Sequence, residues 1–138
     1  MADIMIAILA FPNDPTGKKV AHQMFVAEED AGNLNLYSVS SILGKEKRVY
    51  GAHKERYVTI LPPEDISNGF KVPSFIDCTK MYHIQLTSGM NLSALTQRTV
   101  SNELRDKINS NIEKMKAKGL HTTYNISASE FRKWNPRV

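Results

Sequence analysis

Lys18, Lys19 and His22 crowd one short stretch of the chain, and Ser40 and Ser41 close another. A cation, an imidazole and paired hydroxyls are groups that can cleave a phosphodiester. The cation stabilises the extra charge that builds on phosphorus, and a general base takes the proton of an attacking 2′-hydroxyl. An imidazole with an ordinary pKa of about 6.5 suits that transfer. Lys19, His22, Ser40 and Ser41 are therefore the candidate catalytic residues.

The stretch after Ser41 is basic. Lys45, Lys47, Arg48, Lys54 and Arg56 stand against Glu46 and Glu55, with Tyr50 and His53 interleaved. Cations hold a phosphate backbone, and such rings stack on unpaired bases. With Lys18 and Gln23, these residues form the candidate RNA-binding set. Plainer roles compete. His22 shares strand parity with Val20, Met24 and Val26, which directs it toward a core. Serines often end strands through local hydrogen bonds, and a mixed charged loop is usually just solvated.

A hairpin is the element that must bring these groups together. Val20 to Val26 and Leu34 to Ser40 read as strands, with turn residues from Glu28 to Asn33 between them. In an antiparallel pair, the start of one strand lies beside the end of the other. Ile4 to Phe11 reads as a preceding strand stopped by Pro12-Asn13-Asp14-Pro15-Thr16-Gly17. Tyr57 to Leu61, ended by Pro62-Pro63-Glu64-Asp65, is a further strand, and Ser74 to Asp77 and Met81 to Leu86 are two more. Leu104, Ile108, Ile112 and Met115 then form one stripe of an amphipathic helix, with Ser101 as N-cap and Gly119 past its end. A short helical turn is expected from Ser127 to Trp134.

The expected organisation is a single domain over 1–138: a β-rich part over about 1–90, a helix over about 101–118 and a short tail over 119–138. Strands followed by a helix suggest a bent antiparallel sheet with the helix packed on it, and the pattern leaves barrel and open sheet undecided. One cysteine, Cys78, excludes an intrachain disulfide and a cysteine-rich zinc site. The four histidines, at 22, 53, 83 and 121, are scattered, and no metal or cofactor is expected. The net charge of +4 weakly favours acidic partners. Ile4 to Phe11, the longest apolar run, is too short to span a bilayer and lacks the flanks of a signal peptide, so a cytoplasmic protein is expected.

Several short motifs together resemble the MazF/PemK-like toxins. They are Phe11-Pro12, then Thr16-Gly17-Lys18-Lys19 opening the apolar run Val20 to Val26, then Tyr37-Ser38-Val39-Ser40-Ser41, and later Gly69-Phe70-Lys71-Val72-Pro73-Ser74-Phe75-Ile76-Asp77. The resemblance spans most of residues 4 to 118. It implies an SH3-like barrel with a C-terminal helix and metal-independent cleavage of single-stranded RNA by 2′-hydroxyl attack. It also implies a homodimer and an antitoxin partner. The family's Thr-Ser pair falls at Ser40-Ser41, its proline at His22, and its catalytic arginine at Ala21. The cation must then come from Lys19 or from the Lys45–Arg56 loop. The alternative is a non-catalytic small barrel that binds RNA or a protein partner.

Overall fold

The computed structural model describes residues 2–30, 32–62 and 69–138. Eight strands among them form one sheet. They are β1 (Ile4–Leu9), β2 (Val20–Asp30), β3 (Asn33–Ser41), β4 (Tyr57–Ile60), β5 (Ser74–Asp77), β6 (Lys80–Gln85), β7 (Thr96–Arg98) and β8 (Thr122–Ile126). Three helices join them: α1 (Glu46–Val49), α2 (Asn102–Ala117) and α3 (Ala128–Trp134). The strand order is β4-β5-β3-β2-β1-β7, with β6 also beside β3 and β8 beside β6. All pairs are antiparallel except β6 with β8.

The β2–β3 hairpin runs from Gln23 opposite Val39 to Asp30 opposite Asn33, tighter than the expected turn over Glu28 to Asn33. Ala31 of that turn, and Pro63, Glu64 and Asp65 of the expected stop after β4, lie outside the described residues. Along its other edge β3 changes partner. Residues 33–36 pair with β6 and residues 39–41 with β5. From Val39↔Ile76 to Leu36↔Tyr82, β3 advances three residues while its partner advances six, and the bend from Asp77 to Lys80 absorbs the excess.

The expected barrel is corrected to an open sheet: β4, β7 and β8, its three terminal strands, do not pair with one another among the described residues. The reason lies in burial. A barrel encloses one face of its sheet, whereas here each face has its own core. Ile4, Phe25, Tyr37, Val39, Val58, Ile60 and Ile76 pack with Leu104, Ile108, Ile112 and Met115 of α2. On the other face, Met5, Leu9, Met24, Leu36, Tyr82 and Ile84 pack with Leu92, Phe131 and Val138. Each fully buried aliphatic side chain contributes ~1.5–3 kcal/mol, so both faces are stabilised without closure of the sheet.

The helix expected near 101–118 is α2. Ser101 Oγ accepts a hydrogen bond from Leu104 N at 3.1 Å, and the C-terminus closes through Gly119 at φ 70°. Buried Asp3 ties this helix to the start of β1, accepting from Arg105 Nε at 2.6 Å, Arg105 Nη2 at 2.9 Å and Val100 N at 2.9 Å. The expected short tail contains a strand and a helix. β8 extends the sheet beside β6, and α3 is capped by Ser127, whose Oγ accepts from Glu130 N at 3.2 Å. Just past α3, buried Asn135 meets the edge of β1 beyond the reach of β7. Its Oδ1 accepts from Ile8 N at 2.8 Å and its Nδ2 donates to Ile8 O at 2.9 Å. No helix among the described residues is long and apolar enough to cross a membrane.

Candidate functional site

Strand alternation decides which of the candidate side chains can meet. His22 and Ser40 each stand one position beyond the last paired residues of the hairpin, Gln23 and Val39. Both take the face of Met24 and Ser38. Gln23 and Ser41 take the other face. There Gln23 Oε1 accepts from Arg98 Nη2 at 2.8 Å. Ser41 Oγ accepts from Leu43 N at 3.2 Å, a local bond at the strand end. Lys18 and Lys19 precede β2 and are exposed. Their loop is shaped by Asp14 Oδ1, which accepts from Thr16 N at 2.9 Å and Thr16 Oγ1 at 2.8 Å, and by Gly17 at φ 64°. The hairpin thus brings His22 and Ser40 to one face and leaves Ser41 on the other.

His22 is half-buried against Phe11, with ring centroids 4.3 Å apart. Phe11 stacks on Tyr82 at 4.4 Å, and Tyr82 on Tyr124 at 5.6 Å, so four rings follow one another across this face. Burial lowers the His22 pKa, and the nearby Asp14 carboxylate only partly opposes it. The imidazole is therefore neutral at pH 7, the form a general base needs. Burial also pushes the Tyr82 phenol up to about 12, and its hydroxyl donates to Asn13 Oδ1 at 2.9 Å. It is a fixed donor, not a base. Two of the other histidines stand elsewhere: His121 shares a 2.6 Å hydrogen bond with the Tyr37 hydroxyl, and His83 one of 2.6 Å with Asn35.

The basic loop is folded onto the same end of the sheet. Ile42 and Val49 pack on Phe75 with Tyr57 and Leu61, a small third core. Phe75 is the ladder partner of Ser40, so the loop is docked one strand from that hydroxyl. Arg48 Nε donates to the Tyr57 hydroxyl at 3.0 Å, and its Nη2 to Asp77 Oδ2 at 3.2 Å. Its guanidinium lies 5.4 Å from the Tyr57 ring centre and 5.7 Å from that of Phe75. The Tyr57 hydrogen bond, above all, raises its pKa. Lys45 Nζ sits 5.8 Å from the Phe75 ring centre, and Lys80 Nζ 3.8 Å from Asp77. Asp77 is itself 5% exposed, and its Oδ1 is taken by the Thr79 backbone and hydroxyl.

The remaining loop residues diverge. Lys47, Tyr50, His53 and Lys54 are exposed. Arg56 is half-buried, and its Nε is enclosed with no hydrogen-bond partner among the described residues. The turn that carries Lys54 and Arg56 is held against α2, where Asn111 Nδ2 donates to Glu55 O at 3.0 Å. Phe11, Tyr57, Phe75, Asp77 and Tyr82 are the site residues missed by sequence reasoning. Asp77 followed by Thr79 is a local pattern for a side chain capping its own turn, but no spacing in the chain points to its pairing with Arg48. No cluster of three histidine, cysteine, aspartate or glutamate residues suited to a metal ion exists among the described residues. No protein-family model matches the chain, and no curated protein matches it.

Proposed function

We propose that the chain is a toxin-like, metal-independent endoribonuclease that cuts single-stranded RNA. The observation that carries this reading is the shared face at one end of the sheet. A neutral, half-buried imidazole, a serine hydroxyl and a cation-bearing loop occupy neighbouring strands there. His22 takes the 2′-hydroxyl proton, the 2′-oxygen attacks phosphorus, and the 5′-oxygen leaves and is protonated by solvent. The products are a 2′,3′-cyclic phosphate and a 5′-hydroxyl. Ser40 donates to a non-bridging oxygen, and cations of the 42–56 loop meet the added negative charge. The remaining exposed cations and rings, Lys47, Tyr50, His53 and Lys54, track the strand on either side.

In this proposal the open sheet is a variant of the SH3-like barrel, and the partners are RNA, a second copy and an antitoxin, met in the cytoplasm. The test is purified protein incubated with mixed single-stranded RNA and a chelator. New 2′,3′-cyclic ends are expected, and RNA that stays intact refutes the enzyme. A second reading, non-catalytic binding of RNA or of a protein, is favoured by one observation: Ala21 has no cation to offer where the resembled family carries its catalytic arginine. It predicts salt-sensitive binding without cleavage.

A further inference from the structure

We propose that Arg48 is a catalytic residue that meets the scissile phosphate through Nη1, positioned by Asp77 and Tyr57. The inference rests on the endonuclease reading and names the cation which that reading leaves open. Lys18 and Lys19 sit on an exposed loop outside the strand, and Lys47 and Lys54 are exposed without an ion pair among the described residues. Arg48 is different. Tyr57 holds its Nε, Asp77 holds its Nη2, and two ring faces fix its plane. Nothing among the described residues takes Nη1, and the side chain is 46% exposed. A donor fixed before the reaction needs no reorganisation when charge develops, which is what makes such groups effective.

Position and charge agree with that role. Arg48 lies over Phe75, the partner of Ser40, and Ser40 shares its face with His22, each one position past the last hairpin pair. Phe75, Ser40 and His22 follow one another on three adjacent strands and share one face, so the guanidinium over Phe75 belongs to the face that carries the imidazole. The carboxylate of Asp77 does not cancel it. Arg48 and Lys80 share that single acid, and Lys45 joins Arg48 over the Phe75 ring, so the cations outnumber the carboxylate there. Asp77 has one oxygen committed to Thr79 and the other turned to the cations, so it orients Arg48 and has no free oxygen for proton transfer. A planar guanidinium fits this task better than an ammonium, since its edges can serve the acid and a phosphate oxygen at once.

The experiment measures cleavage of single-stranded RNA by the full chain and by Arg48→Ala, Arg48→Lys and the double variant Arg48→Ala/Asp77→Asn. Melting curves establish folding. Arg48→Ala is expected to lower kcat/KM by about 100-fold or more, the usual loss of one transition-state donor. Added guanidinium ion at millimolar concentration is expected to restore part of kcat in Arg48→Ala but not in the double variant, which has lost the acid that seats the ion. That difference is the readout of positioning by Asp77. Arg48→Ala within about threefold of the parent overturns the role of Arg48 and leaves the nuclease standing. Equal rescue of single and double variants overturns the role of Asp77. Should Arg48→Ala fail to fold, Arg48→Lys decides: full activity overturns the inference, and a loss of about tenfold or more upholds it. A parent protein that cuts no RNA overturns the nuclease reading itself and this inference with it.

Discussion

Asn135→Ala isolates a single amide that behaves like a piece of strand. In the folded chain that amide accepts from Ile8 N and donates to Ile8 O and to Phe131 O. Truncation leaves the Ile8 donor and acceptor without this partner, whereas Phe131 O keeps its bond from Asn135 N at 3.0 Å. A buried polar group stripped of its hydrogen bond costs ~1–3 kcal/mol. Ile8 is 41% exposed, so water reaches its peptide once the side chain is gone, and the net cost falls toward the lower end for that residue. A loss of about 2 kcal/mol is expected, since the net worth of each bond is ~1 kcal/mol once water competes. For a chain of this size that corresponds to a fall in Tm of ~6–10 °C. Urea unfolding supplies the free energy, and amide exchange at Ile8 supplies the locality. Exchange there is expected to accelerate more than at Met24 in the neighbouring core. A change below about 0.5 kcal/mol, with Ile8 exchange unaltered, refutes the idea that this side chain completes the sheet. Asn135→Asp sharpens the test. It can still accept from Ile8 N but faces two carbonyl oxygens with a charge, so its deficit is expected to shrink as the pH falls and the acid takes up a proton.

The His22 pKa is held below its ordinary 6.5, chiefly by burial, so the neutral form is favoured in the folded chain. Its share of stability is complete above 6.5 and lost as pH falls through the lower folded value. Cleavage by a His22 base declines over the same window, and a rate that rises on acidification there counts against it. Burial raises the Asp3 pKa, but hydrogen bonds from Arg105 and Val100 outweigh it and leave the net shift downward. That contribution is present above the unfolded value of 3.8 and lost as pH falls through the folded one. Asp3→Asn is therefore expected to destabilise at pH 7 and to flatten the acid limb of stability against pH, and an unchanged limb contradicts the pairing. Burial pushes the Cys78 thiol up to about 12, so a disulfide reagent at pH 8 is expected to label it only after unfolding, and prompt labelling of the native chain disproves its enclosure.

Local signals were readable in the chain and remote ones were not. The stripe Leu104, Ile108, Ile112 and Met115 repeats within a few turns, and all four side chains are buried in α2. The hairpin was legible for the same reason, since its two apolar runs flank a glycine-bearing turn. β1 ends at Leu9, earlier than the apolar run suggests, because Phe11 leaves the ladder to stack between His22 and Tyr82. β7 and the exposed start of β8 are polar, Thr96-Gln97-Arg98 and Thr122-Thr123, and carry no alternation to find. Their partners, β1 and β6, define them. At the candidate site, the hairpin pattern places Lys19, His22, Ser40 and Ser41 close together, yet side-chain parity parts Ser40 from Ser41. The contact of Arg48 with Asp77 depends on β4 lying beside β5, with Tyr57 opposite Asp77, a pairing that no local window contains.

An amide that stands in for a strand guards the β1 border by the rotation of a few bonds, whereas a paired strand must unzip residue by residue. Once it swings away, the Ile8 peptide offers a donor and an acceptor side by side to any extended segment that arrives. Asn135 therefore occupies the hydrogen-bonding positions that an added strand would use.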